Sequence, residues 1–502
     1  MSTTKITISQ KKSDNFSQWY HDVIFETGLL GKYDISGCYV YLPESYGMWE
    51  KIQDIFNKKF RELGIKNVYF PTLITETNLN RESSHIEGFT PEVVWASKNE
   101  ESESNKDGIK LAIRPTSECA IYPTFANIIK SHADLPLMWN QWCSVMRWEF
   151  SSPTPFIRSR EFLWQEGHSG YETHEEADKG ALQMLEVYRE MYERILCVPV
   201  IKGKKITSEK FAGAKDTYTI ETYIPEAGRA IQCATSHNLG QNFSKMFDIR
   251  FLKKDGGSDY IYQTSWGFTT RSLGVTIMTN GDDTGLIIPN DISNYQIVIV
   301  PIYTASNKSI ILEYCKNIIY NMKNIRVHLD ISDAKPGWKF YYWESKGVPI
   351  RIEIGKKDIE NSSVKFVRRD TREKFDIKIN NIQNEIENIL IEINTNMYKK
   401  SMDNIIKSMI IYDNKKKLDE YLEGAITNIG LNVLTICDND KCKENIKDIC
   451  KKKDMGKILC EVFNEGELGE YIFKMMENII EKDCVVCQNK DKINLFLMAK
   501  TF

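Results

Sequence analysis

Residues 141–168, QWCSVMRWEFSSPTPFIRSREFLWQEGH, read as two strands joined by a turn containing Pro153 and Pro155, and no other stretch constrains the chain as much. At strand period Cys143, Val145, Arg147 and Glu149 share one face of the first strand, with Trp142, Met146, Trp148 and Phe150 on the other. On the returning strand Arg158, Arg160, Phe162, Trp164, Glu166 and His168 fall together, opposite Ile157, Ser159, Glu161, Leu163 and Gln165. A charged outer face is ordinary for an antiparallel sheet. Rings standing among the charges are not, and flat rings beside guanidinium forks suit a nucleotide, the rings for its base and the arginines for its phosphates.

At 502 residues the chain exceeds one ordinary core, so two to four domains are expected. With 42% hydrophobic and 27% charged residues its composition is globular. Residues 1–20 lack a secretory apolar run, and no stretch approaches the roughly 20 apolar residues of a membrane span, so a cytoplasmic protein is expected. Because the net charge is only −3, a nucleic-acid partner has to be met by a local basic patch. The twelve cysteines form no dense framework and read as reduced thiols, apart from two late pairs.

Apolar residues at Trp49, Ile52, Phe56, Phe60 and Leu63 predict a helix over 44–63. Gly64 stops it, and VYFPTLI follows as a strand carrying Pro71. Proline cannot donate to a ladder, so this strand belongs at an edge or an interface.

This helix with Pro71, the Arg147-Trp148-Glu149 strand returning through Arg158, and the later Arg271 resemble the three motifs of class II aminoacyl-tRNA synthetases. More narrowly, RPTSE (114–118), FIRSREFLWQEGH (156–168), ATSH (234–237), QTSWGFTTRSLG (263–274) and GVPIRIEIG (347–355) resemble prolyl-tRNA synthetases of the archaeal and eukaryotic-cytosolic type, in order. The resemblance implies an α+β catalytic domain with the class II antiparallel sheet and helices over 1–290. An α/β anticodon-binding domain over 291–394 and a small α/β zinc-binding-like domain over 395–502 would follow. It implies formation of prolyl-adenylate from L-proline and ATP with Mg²⁺, and transfer of the prolyl group to tRNA(Pro). A homodimer is expected, because the first motif needs a partner surface.

The family pattern carries roles onto residues of this sequence. In-line attack on the α-phosphorus builds negative charge on oxygen, so fixed cations are required there. Arg147 should hold the α-phosphate and the substrate carboxylate, Arg158 the γ-phosphate, and Arg271 the other side of the nucleotide. Phe162 should lie under adenine with Glu149 near its exocyclic amine, and Gln232, Thr235 and Thr269 belong to the same ATP site. For proline, Thr116 and Glu118 should receive the ammonium. Trp164, Glu166, His168 and His237 should form the ring pocket, with Phe89 and Glu92 closing over it. No nucleophilic side chain is required, since the adenylate is itself the activated acyl group. Departures from the pattern are Cys233 within QCATSH, TNGDD at 279–283, and Phe502 where the family usually ends in tyrosine. Only about a hundred residues separate His168 from Trp266, so no editing domain is expected there.

From about Ser293, strand and helix patterns alternate, as in a small α/β domain. Lys335, Lys339, Lys346, Arg351, Lys356, Lys357, Lys365, Arg368 and Arg369 predict a basic face. By the family pattern Glu344 and Lys357 read the two guanines of a proline anticodon. The last block reads as Lys/Asp/Glu-rich and helical, and holds Cys437-X4-Cys442 and Cys484-X2-Cys487. Two close pairs can supply the edges of a zinc tetrahedron, with Cys450 and Cys460 as possible substitutes. Threonyl or glycyl enzymes of the same class, and a tRNA-binding paralogue without catalysis, are the alternatives; retained Arg147, Arg158, Arg271 and Glu118 argue against the last.

Overall fold

The helix predicted over 44–63 is α1 (Pro43–Glu62), and its ends follow from its residues. Pro43 occupies the first turn, where its missing N–H is not needed, with Glu44 beside it and Lys59 and Arg61 in the last turn. Gly64, at φ 74°, ends it in a conformation few other residues adopt. The structure, a computed structural model, describes residues 6–83, 93–96, 110–149, 152–423, 430–453, 456–477, 479 and 482–502.

VYFPTLI does not form the single strand expected. β1 (Lys66–Val68) ends three residues before Pro71, and Leu73–Thr75 belongs to a separate three-stranded sheet with Trp95–Ala96 and Leu111–Ile113. Lacking an N–H, Pro71 marks the point where the chain leaves one ladder for another.

The hairpin forms as β2 (Leu137–Met146) and β3 (Glu161–Tyr171), which pair antiparallel with Cys143 opposite Trp164 and Val145 opposite Phe162. Its ladder starts at Glu161, so Arg158 and Arg160 precede the strand instead of continuing its face. Arg160 turns away: its guanidinium carbon lies 4.2 Å from the Trp148 ring centre, and Nη1 donates to Ser36 O at 3.0 Å. Further strands are β4 (Ile201–Lys204), β5 (Asp216–Ile224), β6 (Arg229–Gly240) and β7 (Tyr262–Thr269). They lie in the order β4-β5-β6-β7-β3-β2-β1, antiparallel except between β1 and β2. α1, α3 (His174–Glu190) and α4 (Arg271–Asn280) cover one face, where Trp49, Phe56, Tyr188 and Phe268 make the largest core. α2 (Glu118–Ile128) follows the Arg114-Pro115-Thr116 turn.

The second body is the predicted α/β unit. β8 (Ile297–Pro301) is buried throughout and pairs parallel with β9 (Val327–Leu329) and β10 (Ile350–Ile354). β11 (Ser363–Arg368) and β12 (Lys374–Lys378) extend the sheet antiparallel. Its helices include α5 (Pro336–Ser345), α6 (Lys356–Glu360) and α7 (Ile382–Lys407). The basic face expected here is largely internal. Lys339 is buried against Asp330, Arg351 pairs with Glu353, Arg368 with Asp370, and Arg369 with Asp282, whereas Lys335, Lys356 and Lys357 are exposed.

The C-terminal block is not simply helical. β13 (Met409–Tyr412), β14 (Leu431–Cys437), β15 (Lys457–Val462) and β16 (Ile493–Ala499) alternate with helices including α8 (Asp440–Lys453) and α9 (Gly466–Glu477). Their order β13-β14-β16-β15 continues into β4, because Glu461 and Val462 pair with Lys204 and Gly203, so eleven strands form one sheet. Gly203 permits that approach, since a Cβ there would collide with the Glu461 carbonyl oxygen.

Candidate active site

The open face of the sheet carries a cavity of about 350 Å³, within the range of sites for small organic ligands. Alternation on β3 aims Phe162, Trp164, Glu166 and His168 into it, and the neighbouring β2 run ends in Arg147 and Glu149. β6 contributes Gln232, Thr235 and His237; Thr269 lies at the end of β7, and Arg271 opens α4. Thr116 and Glu118 close one end, from the turn into α2. These thirteen residues, chosen from the sequence, line one cavity. Phe89 and Glu92 lie outside the described residues.

At one end the cations gather. Arg147 Nε donates to Pro115 O at 2.9 Å, and its guanidinium carbon stands 5.6 Å from the Phe162 ring centre and 5.4 Å from that of Trp164. Arg271 is fixed by bonds to Ile157 O and Gln232 O, each 3.1 Å. Burial lowers its pKa, and the nearby Arg158 and Arg147 charges act in the same direction. Like charges gathered in this way suit a polyanion. Arg158 stands beside the cavity lining, with Nη2 donating to the main-chain oxygen of Phe502. Gln232 is backed by a relay: its amide faces Thr219 Oγ1 at 3.4 Å, which donates to Glu221 at 2.8 Å, and Glu221 pairs with buried Lys205 at 2.6 Å.

At the other end Glu166 is buried and multiply held. Gln141 Nε2 donates at 2.8 Å, the Ser117 hydroxyl donates to the same oxygen, and His168 Nε2 lies 3.3 Å from the second. Burial favours its protonated form, but the His168, Ser117 and Gln141 contacts outweigh it and hold its pKa below the usual carboxylate value. Tyr122 OH, 3.0 Å from His168 Nδ1, fixes that ring. Thr116 Oγ1 hydrogen-bonds to Glu118. Burial, with the neighbouring His168, pushes His237 down to about 3, so its imidazole is neutral at physiological pH. The Phe211 ring lies 4.8 Å from it.

Ser117, Gln141, Tyr122 and Phe211 went unread in the sequence. Ser117 lies within the quoted RPTSE run and Gln141 at strand period from Cys143, so a signal existed for these two; Phe211 sits in a loop without periodicity.

Outside the cavity, Cys437, Cys442, Cys484 and Cys487 place their sulfurs within 4.8 Å of one another, with Cys437 and Cys487 at 3.7 Å. Four sulfurs held tetrahedrally at ~2.3 Å from zinc would stand about 3.8 Å apart, so the donor set fits. Burial opposes ionisation of Cys484, but the backbone N–H groups of Cys437, Cys487 and Val486 outweigh it and bring the thiol down to about 7. Cys450 packs against Met498 and Cys460 lies on β15, so neither takes part in this cluster. Glu344, on α5, engages Arg372 at 3.5 Å and Arg351 at 3.9 Å, while Lys357 is exposed on α6 beyond the far end of β10.

An antiparallel sheet carrying converging arginines and two aromatic rings in such a cavity defines the catalytic core of a class II aminoacyl-tRNA synthetase. The family model described as the tRNA synthetase class II core domain (G, H, P, S and T) matches residues 100–280, and the anticodon binding domain matches 296–389. The cytoplasmic proline–tRNA ligase of Arabidopsis thaliana is 43% identical over 472 residues, covering 93% of this chain and 88% of that protein. Proline–tRNA ligase 2 of Clostridioides difficile is 40% identical, covering 98% and 97% respectively. The crystal structure of Cryptosporidium parvum prolyl-tRNA synthetase with halofuginone and AMPPNP superposes with a TM-score of 0.88 at 40% identity, covering 99% of this chain and 97% of that one. The same enzyme with L-proline and AMP gives a TM-score of 0.86 at 38% identity. The chain belongs to the prolyl-tRNA synthetases, and its activity is that of a proline–tRNA ligase.

Proposed function

We propose that the protein works in two steps within this one cavity. A carboxylate oxygen of L-proline attacks the α-phosphorus of ATP, supplied as its Mg²⁺ complex, the bond from that phosphorus to the oxygen bridging it to the β-phosphate breaks, and pyrophosphate leaves. A terminal ribose hydroxyl of tRNA(Pro) then attacks the prolyl carbonyl, loses its proton and displaces AMP. The observation that carries this reading is the pairing of a cation-rich end with a small, multiply hydrogen-bonded end around Glu166. Arg147, at the cation-rich end with its guanidinium beside the Trp164 ring, holds the α-phosphate and the proline carboxylate; Arg271 and Arg158 take the remaining phosphate charge. Phe162 stacks on adenine beside Glu149, and Gln232, Thr235 and Thr269 bind the nucleotide. Thr116 and Glu118 receive the ammonium, and Trp164, Glu166, His168 and His237 shape the ring pocket.

ATP–pyrophosphate exchange across the amino acids tests this reading: proline should support exchange, and threonine and glycine should not. Alanine should exchange weakly, since each of the two ring methylenes it lacks costs only about 1–3 kcal/mol. The interval from His168 to Trp266 is taken up by α3, β4–β6 and short elements of the same core, which supports an enzyme without an editing domain. Alanyl-tRNA(Pro) should therefore persist in its presence.

The same reading divides the chain at about 290 and 394 into catalytic, anticodon-binding and C-terminal domains. Glu344 and Lys357 read the anticodon guanines, the carboxylate accepting from a base edge and the ammonium donating to one. The four-cysteine cluster holds a structural zinc; elemental analysis should find one per chain, and Cys437→Ser should abolish it. The likeness to the cytoplasmic enzyme of Arabidopsis supports a cytoplasmic protein. No helix among the described residues is long and apolar enough to cross a membrane.

A further inference from the structure

Glu209, Lys210 and Phe211 line the cavity from the loop between β4 and β5, and that loop is held from two sides. On the cavity side, Phe211 N donates to Thr217 Oγ1 at 2.9 Å, and the same hydroxyl lies 3.0 Å from His237 Nδ1. On the far side, Ile206 is buried in the C-terminal core with Cys437, Cys442 and Ile446. Lys447, on α8, pairs with Glu209 at 3.0 Å and reaches Ser208 O at 3.5 Å, and Lys457 at the start of β15 stands 4.0 Å from the same carboxylate. α8 itself carries Cys442 of the thiolate cluster.

We propose that the C-terminal unit sets the amino-acid end of the active site through the Lys447–Glu209 pair, making both of them positioning residues for Phe211. A wall that stands on a loop is only as well placed as the loop's anchors, and about five residues from Ile206 to Lys210 connect the C-terminal core to the ring beside His237. Both partners are partly exposed, so the coupling is modest and sensitive to salt. The inference rests on assigning the His237 end to proline, which wild-type exchange with proline tests by itself.

The experiment is proline-dependent ATP–pyrophosphate exchange in the full chain with Lys447→Ala, Glu209→Gln and the charge-swapped double variant Glu209→Lys/Lys447→Glu. Lys447→Ala should raise KM for proline about three- to fivefold, the scale of one partly exposed ion pair, with KM for ATP unchanged. The swap should return KM for proline towards wild type. Rising ionic strength should raise KM for proline in wild type but not in Lys447→Ala. If Glu209→Gln raises KM for proline while Lys447→Ala does not, the carboxylate meets the ligand directly and the proposal fails. It fails equally if both single variants match wild type, or if the swap restores nothing.

Discussion

Arg147 meets three constraints at once: its main-chain N–H bonds to Arg160 O just beyond the end of the ladder, its Nε is bound to Pro115 O, and its guanidinium stands by two rings. The remaining guanidinium nitrogens are thereby aimed before any ligand arrives, which is the condition for electrostatic stabilisation without reorganisation. Replacing Arg147 with alanine should lower proline-dependent pyrophosphate exchange by about 10²- to 10³-fold, read as kcat/KM, while the thermal midpoint moves little. An unchanged exchange rate would remove Arg147 from the reaction. At this scale the sequence was informative wherever strand alternation set direction, as for Phe162, Trp164, Glu166 and His168. It failed for Arg160, because alternation applies only inside a ladder and the ladder begins at Glu161.

Where elements meet, two contacts carry predictions. Glu193 follows α3 and faces Arg189, Glu186, Glu467 and Tyr398. Burial, with Glu467 and Glu186 adding to it and Arg189 opposing it, pushes its carboxyl up to about 7. A carboxyl that titrates near 7 when folded and near 4.5 when unfolded binds its proton more tightly in the native state. Stability therefore falls as pH rises from 4.5 to 7, and the loss is constant above that. Glu193→Gln should stabilise the protein by up to about 3 kcal/mol at pH 8 and have no effect at pH 4.5, followed by denaturant unfolding at both. Gly203→Ala should destabilise the seam between β4 and β15 by about 1–3 kcal/mol, seen as faster amide exchange along both strands. Outside the C-terminal block, where four strands were read as helical, helix and strand existence was legible, α1 differing from its predicted bounds by a single residue at each end. The strand through Pro71 was not, because which ladder a short segment joins depends on partners distant in sequence.

For the molecule as a whole, β1 is one of the two outer strands of the eleven, and Tyr69 directly after it and Leu73 a few residues on are 69% and 47% exposed. An open edge beside large apolar side chains needs covering, which supports the homodimer proposed from the first motif. Sedimentation should give a dimer for the wild type and a monomer for Leu73→Asp; a monomeric wild type would end that reading. The alternation that sends Phe162, Trp164, Glu166 and His168 to one face and the close spacing within each cysteine pair were written locally, because each depends on neighbours a few residues away, whereas the roles of the arginines and of the other cavity residues came from the resemblance of their motifs to the family. The merging of the C-terminal strands into the catalytic sheet, the enclosure of most of the basic residues in ion pairs, and the anchoring of the Phe211 loop by Lys447 depended on the tertiary structure. Those contacts join segments more than a hundred residues apart or turn on burial, and neither pairing energy nor desolvation is encoded in the period of any one stretch.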